Sequence, residues 1–251
     1  MSTVTVADAR EFATGFADGS VALLLMDPPY GGLLNVPWDR QWPSPQAYAA
    51  WFLSVLRCWR RTLTPTGSVI FFGGTGTPGQ RTLLHTILAL EDERGMGLYC
   101  RNWITWKKRR AYGKSHDYLY TREEILWYSA SPARTGVTFN IPYLDEKRGY
   151  EGWNKDFPAK SEFKRVSNVW TDIPELMRPM RPAEKPTVLM ERLVLTHSNP
   201  GDLVVDPFCG TGATGEAALK HGRRFRGADT DPAAVQIAAV RLNILLDELV
   251  G

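Results

Sequence analysis

The chain of 251 residues is 43% hydrophobic and 23% charged, which excludes a small disulfide-built fold and a disordered chain and suits one large α/β domain with room for an inserted subdomain. The net charge of +3 is unremarkable as a total, but Arg101 to Lys185 carries 17 Lys and Arg against 11 Asp and Glu, while the remainder carries 13 against 16. A positive middle third is what contact with a polyanion requires.

Thr3 to Ala7 is a short β-prone segment ending in Asp8, and Glu11 to Phe16 has room for one or two helical turns. The apolar run Val21 to Met26, bounded by Gly19-Ser20 and Pro28-Pro29, predicts a buried strand. Gly31-Gly32, Trp38-Asp39 and Trp42-Pro43 then read as a loop over the strand end. Ser44-Pro45 opens a helix to about Leu63, with Trp51, Val55, Leu56 and Trp59 on one face, tryptophans that fit a core. Ser68 to Phe72 is a second buried strand, and a helix from about Gln80 to Leu90 follows. Leu98 to Trp106 alternates as a strand and runs into Lys107-Lys108-Arg109-Arg110, with Glu123 to Tyr128 as its partner.

From Ser131 to Arg181 the chain changes character, with many prolines, glycines and lone aromatics and no sustained period. Residues 131–181 are therefore expected as an inserted region, and residues 1–130 and 182–251 as the main domain. Pro186 to His197 predicts a helix, Leu203 to Val205 a third buried strand, Thr214 to His221 a helix, Arg224 to Ala228 a strand, and Pro232 to Leu249 a final helix. Strands alternating with helices predict an α/β fold with a doubly wound, mostly parallel sheet.

Two strand ends carry the chemistry. In open α/β sheets ligands collect beyond the carboxyl ends of strands, and Asp27-Pro28-Pro29-Tyr30 lies at such an end. The two prolines remove N–H donors and leave rigid carbonyl acceptors beside the Asp27 carboxylate, while Tyr30 offers a flat face. Acceptors without donors suit an exocyclic amine on a planar base. At the other end, Gly210-Thr211-Gly212-Ala213-Thr214-Gly215 satisfies G-x-G-x-x-G and Asp229 lies 19 residues on. Gly74 to Gly79 satisfies the same pattern without an acid where one is wanted. Asp206 in the preceding Asp206-Pro207-Phe208-Cys209 repels a pyrophosphate but suits an amino group. With Asp229 available to ribose hydroxyls, the implied ligand is a nucleoside bearing an amino acid, S-adenosylmethionine.

Asp27-Pro28-Pro29-Tyr30 and the segment Asp206 to Gly212 together resemble the two signature motifs of amino-group DNA methyltransferases, in the order of the permuted β class. Arg101 to Lys108 and Arg181 to Pro186 are similar to two further family segments; Arg181-Pro182 stands where the family usually has His-Pro. The resemblance implies a Rossmann-like methyltransferase sheet with residues 131–181 as the target-recognition region. It implies that Asp206, Phe208, Cys209, Gly210, Thr211, Gly212 and Asp229 hold the cofactor together with Asp27, with Lys185 near its amino-acid end and Asp8 reaching toward its adenine. Asp27, Pro28, Pro29 and Tyr30 are the implied catalytic residues, needing no metal. Double-stranded DNA is the implied partner, with a flipped base in the pocket and Lys107, Lys108, Arg109, Arg110, Lys147, Arg148, Lys155, Lys160, Lys164 and Arg165 as candidate contacts. The family admits a homodimer and a cognate restriction enzyme.

Asp27 in that motif goes more often with adenine N6, and cytosine N4 is the alternative. Carbon-5 methylation of cytosine needs a cysteine nucleophile, which in the family that does it follows a proline, and Cys58, Cys100 and Cys209 do not follow one. These three cysteines are far apart, without CxxC spacing or a neighbouring His, which argues against a disulfide framework and a zinc site and for a reducing compartment, the cytoplasm. No signal core or membrane-spanning run is expected. A nucleotide-dependent oxidoreductase leaves Asp206 and Asp27 without a task. A non-catalytic DNA-binding module, and methylation of RNA or of a protein amide, are the other readings.

Overall fold

The computed structural model describes residues 3–74, 81–113, 115–116, 118–133, 135–148 and 161–250. Lys155, Lys160 and most of the second glycine pattern, residues 75–79, lie outside them. The elements in chain order are β1 (Thr3–Val6), α1 (Ala9–Ala13), β2 (Val21–Met26), α2 (Pro45–Arg60), β3 (Leu63–Gly73), α3 (Thr82–Asp92), β4 (Tyr99–Tyr112) and β5 (Tyr120–Ser129). They continue with β6 (Tyr143–Lys147), β7 (Phe163–Arg165), β8 (Val169–Trp170), α4 (Thr187–His197), β9 (Leu203–Asp206), α5 (Ala213–Lys220), β10 (Arg224–Asp229) and α6 (Pro232–Val250).

Eight strands form one sheet in the order β1-β10-β9-β2-β3-β5-β4-β8. The pairings from β1 to β3 are parallel, β5 is antiparallel to both β3 and β4, and β8 pairs parallel with β4. The expected mostly parallel α/β sheet is therefore present. The continuous apolar run of β2 follows from burial on both faces. Leu24 and Met26 join the core packed by α1, α2 and α3, whereas Leu23 and Leu25 join the core packed by α4, α5 and α6.

Several expected boundaries move for local reasons. The first helix starts at Ala9 instead of Glu11 because Asp8 caps it, its carboxylate accepting the Arg10 N–H at 2.9 Å. Strand β3 starts at Leu63 instead of Ser68, so Pro65-Thr66-Gly67 is absorbed into the strand with a register shift between Val21 and Leu23 of β2. Strand β4 does not stop at Trp106 but runs on to Tyr112, which puts the basic cluster on an extended strand. Lys107 and Arg109 there are exposed, whereas Lys108 and Arg110 are half-buried, as alternation demands. Within residues 131–181, β6 and β7 form a separate antiparallel pair, while β8 extends the main sheet.

The order of the sheet places the site. Strand β9, from the last third of the chain, lies directly beside β2 from the first third, with Leu23 opposite Val204 and Leu24 opposite Val205. Both strands run the same way, so Asp27 and Asp206 arrive at neighbouring carboxyl ends, at the crevice where an open α/β sheet binds its ligands.

Candidate active site

A cleft of about 550 Å³ opens over the ends of β2, β9 and β10, within the usual range for a small-molecule site. Asp8, Asp27, Pro28, Pro29, Tyr30, Phe208, Gly210, Thr211 and Asp229 all line it. Lys185, Asp206, Cys209 and Gly212 lie behind its wall: Lys185, Asp206 and Cys209 are buried, and Gly212 is buried as well at the start of α5.

The Asp27 end is held by side chains from four elements. The Lys185 ammonium, just before α4, donates to Asp27 Oδ2 at 2.7 Å and to the Ala183 carbonyl at 3.1 Å, and stands 3.3 Å from Glu123 Oε2 on β5. The Tyr30 hydroxyl lies 2.9 Å from Asp27 Oδ1 and 3.0 Å from Glu123 Oε2, so its one hydrogen serves two carboxylates in turn. Tyr30 is only 7% exposed. The Tyr48 hydroxyl of α2 donates to the Pro29 carbonyl. Burial pushes the Asp27 carboxyl above its usual range, with Lys185 opposing and Glu123 reinforcing the shift. Burial works against Glu123 too, but Lys185 and Lys108 outweigh it and hold Glu123 below its usual range.

The loop after Tyr30 is organised by Asp39, which is fully buried. One oxygen accepts the N–H groups of Tyr30 and Gly31, and the other those of Gly32 at 3.2 Å and Leu34 at 2.6 Å. A single carboxylate thus satisfies four backbone donors that no regular element pairs. Sequence reading missed this residue; the signal was an acid inside a glycine-rich loop directly after the candidate motif.

The other end of the cleft has an aromatic wall. Trp42 and Trp51 lie 4.5 Å apart between ring centres, and Phe208 meets Trp51 edge-on at 6.1 Å. Trp59 is core, as the helical stripe predicts, but Trp51 from the same stripe lines the cleft. Asp229 at the end of β10 accepts the Gly210 N–H at 3.0 Å and the Asp231 N–H at 2.9 Å. Each of its oxygens keeps a lone pair. Gly210 has φ +49 and open space where a Cβ would stand, and Gly212 has φ +88, a conformation that favours glycine at the start of α5. An adenosine-sized ligand fits such a cradle: an aromatic wall, a glycine turn without a side chain, and a carboxylate with acceptors to spare.

Asp206 is turned inward. Its oxygens accept the Phe208 N–H at 2.9 Å and the Thr214 hydroxyl at 2.6 Å, and burial raises it to about 7. Asp8 is engaged by Arg10, whose guanidinium holds its carboxyl below the usual range despite partial burial. Glu184, to which sequence reading gave no role, lines the cleft and ties Thr211 to Arg241. Arg181, at the position that departs from the family pattern, pairs with Asp231 at 2.6 Å.

The candidate DNA contacts divide. Lys107 and Arg109 are exposed on β4 and form no ion pair among the described residues. Lys108 turns inward and pairs with Glu123, and Arg110 stands beside Glu175. Lys147 pairs with Glu162 and Lys164 with Glu146 across the β6–β7 pair; Arg148 donates to the Phe163 carbonyl, and Arg165 lies over the Phe139 ring. Among the described residues there is no cluster of metal-binding side chains, and no helix is long and apolar enough to cross a membrane.

A mostly parallel α/β sheet with an acidic crevice beside a glycine turn suits a nucleoside ligand, and comparison makes the class specific. The family model described as DNA methylase, covering N6 and N4 enzymes, matches residues 21–240, and the chain belongs to that family. It is a site-specific amino-group DNA methyltransferase dependent on S-adenosyl-L-methionine. The type II methyltransferase M.HpaI of Haemophilus parainfluenzae is 26% identical over 234 residues, 90% of this chain and 69% of that one. TTHA0409 of Thermus thermophilus, complexed with S-adenosyl-L-methionine, is 26% identical with a TM-score of 0.67, covering 97% of this chain and 94% of that one. The cytosine-N4-specific PvuII DNA methyltransferase shares the fold at 19% identity, with a TM-score of 0.74 over 96% of this chain and 86% of that one.

Proposed function

We propose that the chain methylates the N6 amine of adenine in double-stranded DNA, with the target base flipped into the Asp27 end of the cleft. The observation that carries amine methylation is the acceptor set at the end of β2: the Asp27 carboxylate, with a lone pair left on each oxygen, beside a Pro-Pro turn that offers no N–H donor; the choice of adenine rests on the family resemblance, in which Asp at this position goes more often with adenine. When bound, S-adenosyl-L-methionine supplies an electrophilic methyl group on a sulfonium. Trp42, Trp51 and Phe208 form the wall for its adenine, Asp229 offers acceptors to its ribose, and the Gly210-Thr211-Gly212 turn lets the backbone approach.

Asp27 and the Pro28 carbonyl accept hydrogen bonds from the exocyclic amine and aim its lone pair along the cleft. An aromatic amine is a weak nucleophile, so orientation and a fixed negative field supply most of the acceleration. Tyr30 closes the base-side wall. Lys107 and Arg109 meet the DNA backbone from the exposed edge of β4, and residues 131–181 carry target recognition.

Cytosine N4 is the second reading. It presents the same chemistry to Asp27, and the family that the chain belongs to covers N4 as well as N6 enzymes. Incubating DNA with the protein and labelled methyl donor, then digesting to nucleosides, separates the two. N6-methyl-2′-deoxyadenosine is the expected product; N4-methyl-2′-deoxycytidine alone overturns the adenine assignment.

A further inference from the structure

Running back from the Asp27 end of the cleft is a row of four charges that the methyl-transfer chemistry does not by itself require. In order of contact they are Lys108 on β4, Glu123 on β5, Lys185 before α4 and Asp27 after β2. Signs alternate along the row. Lys108 is its most exposed member, while Glu123 and Lys185 are buried. We propose that Lys185 and Glu123 are positioning residues for Asp27, fixing the direction and the ionisation of its carboxylate, with Lys108 closing the row at the surface. The proposal rests on the reading of Asp27 as the acceptor of the target amine.

Donor counting supports it. The Lys185 ammonium has three hydrogens and three acceptors: Asp27 Oδ2, the Ala183 carbonyl and Glu123 Oε2. None is left for a carboxylate of the methyl donor. The Ala183 carbonyl is presented by a backbone with φ +67, the only positive φ outside glycine among the described residues. A strained residue beside a site needs surroundings that over-determine it, and the Lys185 bond is one such restraint. Tyr30 supplies the second link, since its hydroxyl bridges the same two carboxylates, meeting Asp27 at the oxygen that Lys185 leaves free. Asp27 is thereby held at Oδ2 by Lys185 and met at Oδ1 by the Tyr30 hydroxyl when its hydrogen turns that way, which restrains the carboxylate plane and the direction of its free lone pairs.

The row also sets charge. Facing Asp27 are Lys185 and Glu123, with Tyr30 from its own loop, Tyr48 from α2 and a second buried carboxylate, Asp206, at the end of β9. Lys108 reaches Glu123 and not Asp27. Only Lys185 among these favours the charged carboxylate through its charge. Glu123 opposes by repulsion, yet it is the counter-ion that lets Lys185 stay charged in a buried place: burial works against Lys185, and Asp27 and Glu123 together hold it above its usual range.

Two substitutions therefore move Asp27 in opposite directions. Lys185→Met leaves Asp27 buried beside the Glu123 charge with no cation of its own, so the midpoint of Asp27 rises by roughly one pH unit or more. Glu123→Gln removes the repulsion and leaves Lys185 to Asp27 alone, so the midpoint falls. The double variant removes one charge of each sign and returns the midpoint to near the parent value. The midpoint is read by ¹³C NMR of Asp-labelled protein without donor or DNA, with the Asp27 signal assigned by its loss in Asp27→Asn. The acid limb of kcat against pH, measured on DNA, moves with it. Lys185→Arg restores the parent limb in part, which a purely structural lysine would not predict.

Shifts of opposite sign support the proposal. An Asp27 midpoint that stays put in both single variants, in protein that melts cooperatively, overturns it. If the carboxyl midpoints shift as expected but the parent fails to methylate DNA, the reading of Asp27 as amine acceptor falls and the charge row stands.

Discussion

Asp39 gives the sharpest test of how the loop over the cleft is held. Its carboxylate takes four backbone N–H groups, from Tyr30, Gly31, Gly32 and Leu34, in a fully buried position. Asp39→Asn keeps the shape and one oxygen but turns the other acceptor into an NH2. Two of the four bonds then become donor against donor. Hydrogen bonds to a charged acceptor are worth about 1.5–3 kcal/mol each, so the ordered loop loses roughly 3–6 kcal/mol. At the lower bound, with tenfold for every ~1.4 kcal/mol, kcat/KM falls about 100-fold. A global loss of ~3 kcal/mol would lower the melting temperature of a chain this long by about 6–12 °C. The nest ties a loop and not the sheet, so the expected shift is smaller than that. Initial rates with labelled donor on DNA, alongside calorimetry, measure both. A folded Asp39→Asn protein within threefold of parental kcat/KM would refute the reasoning, and so would a melting shift large enough to account for the whole loss.

Asp206 predicts a pH signature in stability. Burial raises its carboxyl from 3.8 to about 7, so between those values the native chain holds a proton that the unfolded chain has released. Stability from this group therefore falls as pH rises through that window, by about 4 kcal/mol at ~1.4 kcal/mol per unit. Asp206→Asn can still accept from Phe208 N–H and face Thr214, and it carries no such cost. Its advantage over the parent in urea unfolding should grow from about pH 4 to about pH 7.5; a constant difference across that range rules the burial argument out. On β4, Lys107→Ala and Arg109→Ala should each reduce the slope of log K for DNA against log salt by about 0.9. Unchanged slopes would remove that edge from the DNA footprint.

The two strand ends were legible because each is a short apolar run stopped by Asp-Pro, and burial on both faces of a parallel sheet leaves that mark in sequence. What the sequence hid are pairings between distant segments. Glu123 stands at the start of a buried strand, where an acid needs a cation, but its partners Lys185 and Lys108 lie 62 residues after it and 15 before it. Trp51 and Trp59 share one helical stripe in α2. Only the position of the Trp42 loop decides that one of them faces the cleft. The basic cluster was visible as composition, yet its division into exposed Lys107 and Arg109 and half-buried Lys108 and Arg110 required knowing that β4 continues to Tyr112.

Charge explains why a cleft on a DNA enzyme is not itself a DNA groove. Its lining includes five carboxylates, Asp8, Asp27, Glu184, Asp229 and Asp231, against two guanidinium groups, Arg10 and Arg181, each already paired to one of those acids. Asp27 and Glu184 have Lys185 and Arg241 beside them, but Asp229 has no cationic partner among the described residues, so a phosphate at the glycine turn would meet its charge at short range in a medium of reduced dielectric. A cationic sulfonium is favoured there, and a neutral base is tolerated. The positive side chains stand instead at the exposed edge of β4, so attraction for the polyanion and accommodation of the reacting groups are kept on separate surfaces. In the proposed reading, the target base satisfies both fields by leaving the duplex while its phosphates remain outside. The same field disfavours a dinucleotide, whose pyrophosphate would have to sit on the glycine turn between Asp229 and the end of β9.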